Sequence, residues 1–511
     1  MEKSEDFIQH IQEGYQPKGD FIHLGAAMFE GKTYADAAVK IPLKTMNRHG
    51  LIAGATGTGK SKTLQILAEN LSKKGVPVLL MDVKGDLSGI AEKSAGGEFL
   101  DERHQKLGFP FEASSSPVEF LTISEQDGVR LRATVSEFGP VLLSRILDVT
   151  STQAGILAII FKYCDDHHLP LLDLKDLKKI IQYATDGGRE EFEKEYGRIS
   201  SASTGAILRK IVALEQQGAE RFFGERSFDV HDLCRKDSNG HGYVNVMRLT
   251  DIQDKPALFS TFMLSLLAEI YTTFPEEGDS DKPKLVLFID EAHLIFKNAS
   301  DALLDQIESI VKLIRSKGVG LYFVTQNPTD VPSEVLGQLG LKIQHALRAF
   351  TAKDRKAIKL TAENYPLSDY YDTKTELTSL GIGEALVSAL DEKGRPSPLA
   401  AIMLRAPMSR MDVLSQSELE EKIFSSSLRK KYNEEIDRES AYELLNKKID
   451  EAEADKAKEK AKEEELKRQK EAAGSHRGTR SKNKTEGAII KVLTSATFIR
   501  GALGILNKLL K

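Results

Sequence analysis

Two short stretches of the sequence carry residue types suited to nucleotide chemistry. The first is Gly54-Ala-Thr-Gly-Thr-Gly-Lys60-Ser61, which fits the spacing G-x-x-x-x-G-K-[ST]. Glycines at those positions let backbone N–H groups turn toward phosphate oxygens, and a following helix adds its positive dipole end. Lys60 supplies a cation for the β- and γ-phosphates of ATP, and Ser61 a hydroxyl for Mg²⁺. The expected nucleotide-binding set is Gly54, Ala55, Thr56, Gly57, Thr58, Gly59, Lys60, Ser61 and Lys62. Thr63 reads as a helix-start residue rather than a nucleotide contact.

The second stretch is Leu285-Val-Leu-Phe-Ile-Asp290-Glu291-Ala-His293. Asp290 ends a buried apolar run, where a carboxylate can hold a Mg²⁺-bound water; with Ser61 it makes the expected metal set. Glu291, one residue on, is placed as general base for an attacking water. The pair favours hydrolysis over nucleotide storage. His293 has two readings, a relay of the γ-phosphate state or an ordinary helix-start histidine. Gln326, in Thr325-Gln326-Asn327-Pro328, is placed to reach the γ-phosphate or the lytic water. Asn327-Pro328 is also a plain turn signal. Asp82-Val-Lys84-Gly-Asp86 is either a ligand loop at the carboxyl edge of a sheet or a polar loop.

These residues need a scaffold, and the sequence supplies short apolar runs alternating with helical patterns. Val39–Leu43, His49–Ala53, Val76–Met81, Tyr243–Met247, Lys284–Ile289 and Gly320–Val324 read as strands. Such alternation predicts an α/β fold with a mainly parallel sheet covered by helices on both faces. Glu384–Ala389 and Ala400–Arg405 read as late, antiparallel edge strands. The expected division is a weakly patterned N-terminal segment (1–38), a core in two parts (39–139 and 236–413) and an α-helical insertion (140–235). A charged helical extension (414–474) and a basic linker with an amphipathic terminal helix (475–511) follow. Within the extension, residues 446–471 hold nine basic and nine acidic side chains, the pattern of a solvated helix with i,i+4 ion pairs.

Composition narrows the classes. The 511 residues are 41% hydrophobic and 29% charged, which rules out wholesale disorder and a collagen-like fibre. Two cysteines, Cys164 and Cys234, make no disulfide framework and point to a reducing compartment. The start carries early acids and no apolar run, so a signal peptide is not expected. No run of 18 apolar residues predicts a spanning helix. The expectation is a cytoplasmic protein. Its net charge of −5 divides unevenly: residues 475–511 carry +7, leaving −12 on the rest. The basic tail has two readings, a membrane surface or a protein partner, with partner docking preferred. Arg130 and Arg132 are candidate phosphate contacts for DNA.

Together these motifs resemble the HerA/FtsK class of P-loop motor ATPases, and more narrowly the bacterial HerA-like family of YjgR type. The likeness takes in Arg48-His49-Gly50 before the phosphate loop, the Asp82–Asp86 loop, Asp290-Glu291, Arg315-Ser-Lys-Gly-Val-Gly320 and Thr325-Gln326. It extends to Phe222-Phe-Gly-Glu225, Gln344-His-Ala-Leu-Arg-Ala-Phe350 and Gly383-Glu-Ala-Leu-Val-Ser388. The resemblance implies a RecA-like P-loop core and a homohexameric ring with nucleotide between subunits. It also implies an arginine donated by a neighbour to the γ-phosphoryl group. Arg348 is the first candidate for that arginine, Arg315 the second and Arg355 a distant third; each also reads as a surface ion-pair residue. Two departures stand out. The family's N-terminal β-barrel has no clear counterpart, and Leu341-Lys342 stands where Asn-Arg is expected. The implied activity is ATP-driven DNA translocation or a helicase-like action. The alternative is an ATP-gated assembly or membrane-associated partner ATPase that does not act on DNA.

Overall fold

Strands that are apolar along their whole length must be covered on both faces, and here they line up side by side. In the computed structural model, which describes residues 2–474 apart from 279, 297–300, 350, 435 and 437, the strands form one sheet. They are β1 (Phe21–Phe29), β2 (Lys32–Pro42), β3 (Gly50–Ala53), β4 (Val78–Asp82), β5 (Val118–Thr122) and β6 (Val129–Arg130). The remainder are β7 (Val244–Arg248), β8 (Leu285–Ile289), β9 (Val319–Thr325), β10 (Leu341–Gln344), β11 (Glu384–Ser388) and β12 (Ala400–Leu404). Their order is β2-β1-β12-β11-β10-β3-β9-β8-β4-β7-β5-β6.

The strands from β10 to β6 run parallel. Those from β10 back to β2 run antiparallel. β3, β4, β8 and β9 are buried at every residue, which is what a parallel sheet with helices on both faces requires. The fold is thus α/β with a mainly parallel sheet, as the alternation of apolar runs predicts.

The first 38 residues are more ordered than their pattern suggests. Helix α1 (Glu2–Gly14) buries Phe7 and Ile11 beside β1 and β2. β1 escapes a pattern search because its middle is Gly25, Ala26 and Ala27. A Cβ on Gly25 would lie 2.0 Å from the Met403 carbonyl oxygen of β12, so close pairing demands glycine. β11 and β12 are antiparallel as expected, but β1 and β2 pair beyond them, so they are interior rather than edge strands. At the far edge, Arg130 N–H donates to Asn433 Oδ1 at 2.9 Å and Asn433 Nδ2 donates to the Gly128 carbonyl at 2.9 Å. A side chain thereby stands in for another strand.

The chain divides into two compact units, Met1–Ser151 with Arg209–Asp437, and Thr152–Leu208 with the residues from Arg438 on. The helical insertion is therefore narrower than 140–235. The helix Val135–Ile146, kinked at Gly139, stays in the sheet unit with Val135 and Leu143 buried. Residues 209–235 return to it through bridges from Ala133 to Phe223 and from Arg132 to Ser227. In the helical unit, the helix Ala441–Gly474 docks by its first turns. Ala441 N–H donates to Pro170 O at 2.9 Å, and Tyr442 N–H to Asp176 Oδ1 at 2.8 Å. Beyond Ile449 the described side chains up to Arg468 are exposed, and Glu463 pairs with Lys467 at i,i+4, as the charge pattern predicts. The terminal helix and basic linker expected over 475–511 lie outside the described residues. Among those residues no helix is long and apolar enough to cross a membrane.

Candidate nucleotide site

The phosphate loop joins the carboxyl end of β3 to helix α2 (Lys60–Lys73). Gly54, Gly57 and Gly59 have φ values of 153°, 78° and 113°, a region that side chains rarely adopt. Gly59 in this conformation lets the helix begin at Lys60 itself. Thr63 is accordingly inside the first turns and not the helix start. A Cβ on Gly57 would meet nothing within 4 Å, so the loop leaves room above it for phosphate oxygens. Flanking strands hold the loop in place. Gly54 N–H donates to Thr325 O at 3.3 Å, Ala55 N–H to Ala346 O at 2.9 Å, and Gly383 N–H to Thr58 O at 3.1 Å.

Lys60 folds back over its own loop, with Nζ donating to the carbonyls of Gly54 at 2.8 Å and Ala55 at 3.1 Å. Burial and the charge of Lys84 hold its pKa below the usual lysine range, against the pull of Glu291 and Asp290. The support beneath the loop comes from a residue far along the chain. His345, fully buried just after β10, meets Thr63 Oγ1 at 2.9 Å through Nε2, and its Cβ would lie 2.5 Å from a Cβ on Gly54. Burial and the charge of Lys60 lower its pKa to about 4, so it is neutral at physiological pH.

Asp290 and Glu291 follow β8 and are almost buried, at 3% and 7% exposure. Glu291 has φ 48°, a left-handed backbone for a non-glycine residue, of the kind that collects at functional sites. Lys84 Nζ lies 2.5 Å from Glu291 Oε1 and 3.8 Å from Asp290 Oδ2. His293 Nδ1 lies 3.1 Å from Glu291 Oε2. Burial raises the Asp290 pKa to about 6, with Lys84 opposing it. At Glu291 burial acts in the same sense, but the hydrogen bond and charge of Lys84 outweigh it and its pKa is lowered.

Asp82 builds the loop that carries Lys84. Its buried carboxylate accepts from the N–H groups of Gly85 at 2.7 Å, Asp86 at 3.2 Å and Leu87 at 3.2 Å. Burial, and then the neighbouring Asp86 charge, raise its pKa to about 7. Of the two readings of Asp82–Asp86, the geometry favours a loop at the carboxyl edge, facing the acidic pair.

Because β3, β9 and β8 are adjacent and parallel, the phosphate loop, Gln326 and Asp290-Glu291 stand at neighbouring strand ends. Gln326 is exposed. The turn beyond it is also real, since Asn327 and Asp330 cap a short helical turn there. Arg348 is exposed and follows β10 on the phosphate-loop edge; Arg315 is exposed and precedes β9, on the opposite edge. Arg355 is exposed on the helix Ala352–Glu363. Arg132 does not fit a role as a phosphate contact. It is 9% exposed, and its Nη1 donates inward to Tyr432 O at 3.0 Å.

Residues 28–502 match the family described as Helicase HerA-like C-terminal. The chain belongs to that family. Among curated relatives, the DNA double-strand break repair helicase HerA of Sulfolobus acidocaldarius is 24% identical over 362 residues, 69% of this chain and 64% of that one. Its counterpart in Saccharolobus solfataricus is 25% identical over 355 residues, 68% and 63%. This HerA-family chain therefore matches less than two thirds of the length of those relatives. The DNA import protein CedB of Sulfolobus acidocaldarius is 24% identical over 370 residues, 70% of this chain and 52% of that one. Among solved structures, the unbound bacterial conjugative coupling protein TrwBdeltaN70 has a TM-score of 0.50 at 16% identity, covering 80% of this chain and 94% of its own. Plasmid coupling protein TrwB with the ATP analogue ADPNP has a TM-score of 0.51 at 16% identity, covering 79% and 99%. These likenesses establish a RecA-like P-loop fold.

A magnesium nucleotide fits the residues present. The loop has its open glycine and its lysine, and Asp290 Oδ2 is a buried acceptor with no hydrogen-bond partner. No cluster of three metal-ligating side chains occurs among the described residues. Mg²⁺ suits such a site, because it is usually held by one or two carboxylates together with water and phosphate oxygens.

Proposed function

We propose that this chain is an ATP-hydrolysing motor that assembles into a homohexameric ring and translocates on DNA. The observation that supports ATP turnover is the meeting of the phosphate loop, Gln326 and Asp290-Glu291 at three adjacent strand ends. Residues Gly54 to Lys62 cradle the phosphates, and Lys60 moves its ammonium from the loop carbonyls to the β- and γ-oxygens. Ser61 and Asp290 hold Mg²⁺, which supplies charge neutralisation on the phosphates. Glu291 takes a proton from the attacking water, and Gln326 orients that water. An arginine from the neighbouring subunit, Arg348 ahead of Arg315, stabilises the transferring group.

The relatives named as DNA helicases support DNA as the track. Free Cys164 and Cys234 support a reducing, cytoplasmic setting. The test measures ATP hydrolysis with and without DNA over a range of salt concentrations. Stimulation that weakens with salt is expected, since phosphate contacts release counterions. No stimulation at any salt refutes the DNA half. Glu291→Gln is expected to bind ATP normally and stop turnover; normal turnover refutes the general-base assignment.

A further inference from the structure

The two carboxylates that a divalent cation and a lytic water both require already hold a cation that belongs to the chain. Lys84 Nζ sits 2.5 Å from Glu291 Oε1 and 3.8 Å from Asp290 Oδ2, while those side chains are only 9% and 4% exposed. The backbone under Lys84 is fixed. Asp82 accepts three amide hydrogens from the turn, Gly85 has φ 77°, and the Val83 carbonyl accepts from Gln253 Nε2 at 2.8 Å. The ammonium is at the end of a four-carbon stem and is partly exposed, so it can leave without moving the turn.

We propose that Lys84 is a built-in competitor of the divalent cation and a restraint on the general base. Ammonium and metal draw on the same two carboxylates, and two cations so close repel each other where water is scarce. Loading the metal with nucleotide therefore drives Lys84 off Glu291. Until it leaves, Glu291 is tied to the ammonium and is not free to take a proton from water. Lys84 is in this sense a positioning residue, since it acts through Glu291. The proposal rests on the reading of Asp290 and Glu291 as the metal-holding and water-handling carboxylates.

The test is Mn²⁺ affinity, read by electron paramagnetic resonance on the full chain with saturating ADP. Lys84→Met is expected to bind Mn²⁺ about tenfold tighter than the parent, because the competing charge is gone. Lys84→Arg keeps a cation and is expected to stay near the parent value. In a Glu291→Gln background, Lys84→Met is expected to change Mn²⁺ affinity much less, because the ammonium has lost its main anchor. Unchanged or weaker Mn²⁺ binding in Lys84→Met overturns the proposal. So does weaker binding of metal-free ADP, which would make Lys84 a phosphate ligand instead. If Lys84→Met loses the near-ultraviolet circular dichroism of the parent, Lys84→Gln carries the same expectations. Failure of the nucleotide-site reading itself is separable, since it would appear as undiminished binding of a fluorescent ADP by Lys60→Ala.

Discussion

Thr63 Oγ1 and His345 Nε2 lie 2.9 Å apart in a buried contact that ties the phosphate-loop helix to the end of the neighbouring strand β10. The imidazole also lies beside Gly59, where a Cβ would meet its Cε1 at 3.5 Å. His345→Ala removes the hydrogen bond and the ring beside Gly59, while keeping the Cβ that lies under Gly54. It is expected to cost about 2 kcal/mol of stability, typical of a buried polar deletion. A further loss of roughly tenfold in ADP affinity, or ~1.4 kcal/mol, follows from the loosened loop. Calorimetric titration of a variant that still unfolds cooperatively checks this. Unaltered ADP affinity would leave His345 as packing only.

Glu69 on α2 gives a pH signature away from the Asp290-Glu291 pair. It is 2% exposed, and it accepts from Met408 N–H at 2.6 Å, Ser409 N–H at 3.0 Å and Ser409 Oγ at 2.7 Å. Burial raises its pKa from 4.5 to about 7, and the hydrogen bonds only partly offset this. The folded state thus binds the proton more tightly than the unfolded chain. The stability it contributes is fully present below the unfolded value and is lost as pH rises through about 7. Glu69→Gln resembles the protonated form and has no such loss. Between about pH 5 and pH 8 the parent should lose roughly 3 kcal/mol relative to the variant in urea unfolding. A pH-independent difference between the two would contradict this account.

The phosphate loop and the acidic strand end were legible because their chemistry is local. A glycine spacing and a carboxylate pair after an apolar run need no distant partner. What escaped the sequence depends on contacts far along the chain. Arg132 is turned inward by a carbonyl 300 residues away. His345 gains its place only because β10 lies beside β3. The charged helix was legible as solvated, but its docking onto residues 152–208 of the helical unit was not, since a few residues such as Ala441 and Leu445 fix it there.

Phe192 marks the core of the helical unit. It is fully buried and stacks on Tyr163 at 4.2 Å, with Tyr196 6.0 Å away. Lys448 from the C-terminal helix donates to the Tyr163 hydroxyl at 3.0 Å, so the aromatic cluster also seats that helix. Phe192→Ala is expected to destabilise this unit by about 3–5 kcal/mol. Amide exchange should accelerate in residues 152–208 and at the start of the C-terminal helix. Equal acceleration throughout the sheet would show that the two units melt as one.

Arg348 and Arg315 follow opposite edges of the same sheet, one after β10 and the other before β9, and both are exposed. Only Arg348 shares the phosphate-loop edge. In a ring, a heterologous interface would bring one subunit's arginine to the next subunit's nucleotide. Lys60→Ala and Arg348→Ala subunits should each be inactive alone. When they are mixed equally, about a quarter of the interfaces join an intact phosphate loop to an intact arginine, and ATPase activity should return in that proportion. If the mixture stays inactive and Arg315→Ala gives the recovery instead, the trans arginine is Arg315. If neither mixture recovers although mixed oligomers form, catalysis draws on no arginine from across the interface at these positions.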